Sequence, residues 1–274
     1  MKKAFLKLAL LLLALMPISA FAADNGQACD DVTVEIIDKH LKLQGKEFYL
    51  HDNKTDSGIV VAEACKLSPQ NKNVVLTTFA YDLFDKSHPE KEWEKELIVA
   101  MVNLKTKRVL SSYRETIGED AITEVGESSL KIDAAQYQLN KNTRAFGLRF
   151  ESSAHGANCG GAYWGDELTL FMQKGNHLEP VLWSLPMYFM RFLKGCPASP
   201  SIEDVETEFA FLTIDVQKTS KNGYADLLLT AHINNSDERD LKPKPTDEKR
   251  LLRYDGKRYV LDNKLKSWWM LDSW

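Results

Sequence analysis

Long apolar runs are almost missing from this sequence. Beyond the first 22 residues, no uninterrupted apolar stretch approaches the roughly 18 residues of a membrane-spanning helix, so no span is expected in the rest of the chain. Glycine and proline are sparse, 14 and 9 among 274 residues, which excludes collagen-like and low-complexity chains. Four cysteines are too few for a disulfide-dense miniprotein. The histidines (His40, His51, His88, His155, His177 and His232) are scattered with no two at metal-ligand spacing, so neither a metal nor a cofactor is expected. The G-x-S-x-G elbow, H-E-x-x-H, the P-loop and the dinucleotide fingerprint are all absent. Spacing therefore names no catalytic residue.

What is present begins at the N-terminus. Lys2, Lys3 and Lys7 precede an apolar core from Leu8 to Met16, and Ala20-Phe21-Ala22 supplies small residues for cleavage before Ala23. This is the pattern of a secretory signal peptide over 1–22. The expected mature chain, 23–274, is a single β-rich domain with halves at 23–140 and 141–274. Its expected compartment is a bacterial periplasm, with the cell exterior as the alternative. Cys29, Cys65, Cys159 and Cys196 then make an even set in an oxidising setting, read as disulfides. Pairing Cys29 with Cys65 and Cys159 with Cys196 closes a local loop in each half.

The chain carries a net charge of −4, unevenly placed. Residues 239–266 hold ten Lys/Arg against five Asp/Glu, leaving 23–238 with a net charge of −11. The basic end reads as a solvated hairpin, or as a recruiter of an anionic partner. The acidic body would face a basic protein partner in the envelope, a compartment in which nucleic acid is not expected. Glu206 and Glu208 fall on one face at strand spacing and read as a solvated pair.

Short β-branched and aromatic runs separated by turn clusters predict strands at 73–82, 96–104, 108–116, 145–151, 166–174, 177–184, 209–217 and 224–233. Helical patterns are confined to His88–Leu97 and Leu185–Leu193. Similar hairpins recur at Leu43–Leu50, Glu96–Ser111, Glu167–Ser184 and Tyr254–Leu261. The expected fold is all-β or β-dominated: repeated antiparallel hairpins in a propeller-like, sandwich or meander architecture, with one or two short helices.

The most unusual stretch is Ser152–Asp166, SSAHGANCGGAYWGD. Its glycines allow close backbone approach, and Tyr163 and Trp164 offer large contact areas at low entropic cost. His155, Tyr163, Trp164 and Asp166 are the candidate binding residues. A Ser-His-Asp hydrolase is the weaker reading, because the spacing places no nucleophile beside a base.

Three segments, Leu130–Leu139 with Ala145–Phe150, Asp166–Leu182, and Gly223–Thr230 followed by Leu252–Leu261, together resemble a group of exported β-rich proteobacterial proteins. The resemblance implies export and a β-rich fold and brings no activity or catalytic residue with it. Gly223–Leu229 is also similar to a fragment of FG-GAP propeller repeats, although the acidic calcium-loop residues of those repeats are missing here. The expectation from all of this is a non-enzymatic periplasmic binding protein, for instance an immunity or inhibitor protein. A cell-envelope hydrolase or a structural envelope component are the alternatives.

Overall fold

The computed structural model describes residues 28–43, 46–50, 58–83, 91–154, 162–195, 205–235, 246–261 and 267–269. The signal-peptide stretch, His155, Cys159 and Cys196 lie outside them, and with them the pairing of Cys159 to Cys196. Within them, Cys29 and Cys65 are joined as a disulfide.

Among the described residues one helix, α1 (Asp31–Leu41), precedes the strands. Asp30 caps it by accepting a hydrogen bond from the Thr33 N–H at 2.7 Å, and Asp31 sits favourably at the positive end of the helix dipole. Lys42 ends it in a left-handed conformation, with its N–H on the Asp38 carbonyl. Thr33, Ile36, Ile37 and Leu41 form the buried stripe.

The strands are β1 (Glu47–Leu50), β2 (Gly58–Ser68), β3 (Asn71–Tyr81), β4 (Glu94–Asn103), β5 (Arg108–Gly118), β6 (Leu130–Gln138) and β7 (Arg144–Phe150). They continue with β8 (Ala162–Lys174), β9 (His177–Lys194), β10 (Glu206–Lys221), β11 (Tyr224–Asn235), β12 (Thr246–Tyr254) and β13 (Tyr259–Leu261). All belong to one connected sheet in the order β1-β2-β3-β4-β5-β9-β10-β11-β12-β13, with β6-β7-β8 branching from β9. The all-β class and the antiparallel hairpins stand as expected, and the sheet is mixed and not closed into a barrel. At 18 residues β9 is long enough to act as the junction: it pairs with β8 along most of its length, with β5 near its start (Ser112 opposite His177), and with β10 over its far end.

Three apolar clusters hold this together. Ile36, Ile37 and Leu41 of α1 pack with Phe48, Val60, Phe79, Tyr81 and Ile98. The other face of β2–β4, through Ala62, Leu76, Ala80 and Val99, meets Ile132 of β6 and Phe146 and Leu148 of β7. The third cluster joins Leu168, Leu170, Leu182 and Phe189 of β8 and β9 to Ala210, Leu212, Leu227, Leu229 and Leu252 of β10–β12. Trp269 is buried against it.

Four expectations are corrected. Leu185–Leu193 is not a helix but the far end of β9; apolar residues at nearly every position hide the period of two. Glu94–Leu97, at the end of the other helical candidate, begins β4, and residues 84–90 lie outside the description. Leu43–Leu50 is no hairpin, because Leu43 follows the helix cap and β1 pairs with β2 in parallel. Glu208 is no solvated acid: it is paired with Arg191 at 2.6 Å, the side chain of Glu208 being only 14% exposed. The helix α1 was not anticipated, since its β-branched composition reads equally well as a strand.

Candidate functional site

The site is assembled where β7 ends and β8 begins. Residue Glu151 follows β7 directly, and its carboxylate gathers two of the candidate residues. Oε1 accepts from the Tyr163 hydroxyl at 2.5 Å, and Oε2 accepts from the Asp166 N–H at 2.5 Å. Two backbone features make this possible. A Cβ on Gly165 would lie 2.7 Å from both the Glu151 carboxylate and the Tyr163 hydroxyl, so only glycine leaves room for them to meet. Asp166 adopts a left-handed conformation (φ 54°) inside the strand, a region that Asp tolerates better than most residues, and this directs its N–H onto Glu151.

Beneath this pair lies a second layer of charge. Arg149 of β7 bridges Asp166 and Asp133, the latter at 3.3 Å, while the Tyr137 hydroxyl donates to Asp133 at 3.0 Å. Burial draws the Arg149 pKa down, but the two carboxylates outweigh it and hold the guanidinium firmly charged. Burial pushes the Tyr163 hydroxyl well above its ordinary value, and the neighbouring Glu151 adds to the effect, so the phenol stays a donor. Glu167 is raised by burial first and by the Glu151 charge as well, opposed by a hydrogen bond from Ser184.

Beside Glu151 stands a group of aromatic rings drawn from three strands. Tyr188 of β9 is central: its ring lies 5.9 Å from Tyr163, 6.3 Å from Phe209 and 5.0 Å from Phe211. The register explains the grouping, because Gly165 stands opposite Tyr188, and Tyr188 opposite Phe211, on one face of the sheet. Ala210 and Leu212 point the other way into the core, whereas Phe211 remains 50% exposed. Such spacings suit edge and offset ring contacts.

Of the sequence candidates, then, Tyr163 and Asp166 are brought together on one carboxylate. Trp164 is not part of that group. It faces Phe189 in register, on the side of the sheet opposite Tyr163, and is 39% exposed. His155 lies outside the described residues. Glu151, Arg149, Tyr188 and Phe211 were missed: Glu151 looked like the end of a strand, and Tyr188 was hidden in the helical reading of 185–193. The two serines of the stretch are engaged with backbone. Ser152 Oγ donates to the Ile122 carbonyl at 2.9 Å, and Ser153 Oγ donates to the Glu124 carbonyl at 3.2 Å, docking the 119–129 loop beside the site.

Comparison with protein families, with characterised proteins and with solved structures finds no match to this chain. The chemistry of the site is read from its geometry. Among the described residues, no group of three or more His, Cys, Asp or Glu side chains is placed to hold a metal ion. What the arrangement offers is a contact surface: hydrogen-bonded strands supporting a partly open aromatic face with a fixed carboxylate at its margin.

Proposed function

We propose that this chain is an exported, non-enzymatic binding protein of the cell envelope, holding a protein partner on the aromatic face of β8, β9 and β10. The observation that carries this reading is the half-open ring group of Tyr163, Tyr188, Phe209 and Phe211 on rigid strands. Aromatic residues are enriched at the centre of protein interfaces, and tyrosine is among the residues that most often dominate the binding energy there. The N-terminal segment with its cleavage pattern supports export. An acidic body supports a basic partner, such as a toxin or cell-wall enzyme that this protein would occlude as an immunity or inhibitor protein.

The test is capture from an envelope extract by the tagged protein and by a Tyr188→Ala/Phe211→Ala variant, both checked for folding by circular dichroism. The expected outcome is a specific partner retained by the first and lost by the second. Equal retention by both overturns the reading, as does turnover of ester, peptidoglycan or peptide substrates by the purified protein.

A further inference from the structure

We propose that Glu151, with the rings of Tyr163, Tyr188 and Phe211 beside it, seats a positively charged side chain, arginine above lysine, carried by a basic segment of a protein partner. This rests on the binding reading above and names the chemistry of the same site.

Three observations point to a cation. The first is the state of Glu151. Each of its oxygens accepts one hydrogen bond, from the Tyr163 hydroxyl and the Asp166 N–H. A carboxylate offers about four lone-pair positions, so capacity remains for a forked guanidinium. The second is the ring geometry. Aromatic faces attract cations, and Tyr188 sits between Tyr163 and Phe211 with the last half exposed. Arginine is favoured over lysine because a planar guanidinium both stacks on a ring and pairs with a carboxylate.

The third is charge. Asp133, Glu151, Asp166 and Glu167 bring four carboxylates to this end of β6, β7 and β8. Arg149 is held between Asp133 and Asp166, and Lys131, exposed, stands opposite Arg149 on β6. The region is acidic within a body that is itself acidic, so a basic segment is both steered toward it and matched to it. A neutral sugar would also stack on the rings but gains nothing from the surplus of carboxylates.

The experiment is fluorescence anisotropy with the full-length exported chain and a labelled peptide of alternating arginine and glycine, beside the same peptide with citrulline for arginine. The arginine peptide is expected to bind about tenfold more tightly than its citrulline counterpart and to weaken as salt is added. Glu151→Gln should weaken it about tenfold, and Phe211→Ala, a change at a half-exposed side chain that leaves the core intact, about threefold. Glu35→Gln, which removes an exposed acid on α1, should leave it unchanged. Equal loss in Glu35→Gln and Glu151→Gln would reduce the effect to the diffuse field of the body and overturn the proposal. So would equal binding of the citrulline peptide, preferential binding of a neutral oligosaccharide, or a dimer in solution that Phe211→Ala dissociates. If a captured partner is still lost on Tyr188→Ala/Phe211→Ala while the arginine peptide fails, the aromatic interface stands and only the cationic occupant is wrong.

Discussion

Strands β3 and β10 carry six apolar residues each, in 11 and 16 positions, and have opposite fates. From Val74 to Tyr81 every residue of β3 is buried, because α1 covers one face and β6 and β7 cover the other. Strand β10 alternates instead: Ala210 and Leu212 are buried, whereas Phe209 is half-buried and Phe211 exposed. Part of the difference lies in the residues, β10 being polar at most positions outside Phe209–Leu212, and part in the number of layers. A strand covered on both faces turns its apolar side chains into stability; one covered on a single face leaves half of them available for contact.

Substitutions test this contrast directly. Phe79→Ala, at a fully buried ring of β3, should cost about 3–5 kcal/mol in urea unfolding, enough to compromise the fold. Opening the Cys29–Cys65 bond by replacing both with serine releases a loop of 36 residues that ties the start of α1 to β2. The expected loss is about 4 kcal/mol in the chain-entropy model, read as a lower unfolding midpoint. Phe211→Ala, by contrast, should change stability by only about 0.5 kcal/mol while weakening binding at this face about threefold. A loss as large as that of Phe79→Ala would mean that this face is covered, and the comparison would collapse.

The smallest effect is one of pH. Burial holds Glu167 above the ordinary carboxylate pKa of 4.5 in the folded chain. Folding then takes up a proton between that value and the raised one, so stability falls as pH climbs through this window. Glu167→Gln removes that contribution. Its unfolding midpoint should therefore decline less than that of the parent as pH rises from about 4 to about 7. An unchanged slope would place Glu167 in solvent and make the margin of the site more open than described.

Much of the strand pattern was legible because alternation and turn residues are local signals. The hairpins β4–β5, β8–β9 and β12–β13 lie where their apolar runs and turns place them. Failures came where local signals were ambiguous. In Asp31–Leu41 the Asp30 cap competes with a run of Val, Thr and Ile that suits a strand equally well. In Leu185–Leu193 Tyr188, Met190 and Phe192 point away from the core yet are as apolar as Met187 and Phe189, so no periodicity survives to reveal the strand.

The sequence alone determined the β-rich class, the acidic body and the interest of the stretch ending at Asp166; it favoured Cys65 as the partner of Cys29, and the structure decided it. Tertiary structure decided the rest. Only the β8–β9–β10 register sets Tyr163, Tyr188 and Phe211 side by side, and only the missing side chain of Gly165 lets Glu151 reach Tyr163. Those contacts join residues 12 to 25 positions apart, and no local pattern encodes which face of a strand its neighbours will leave uncovered.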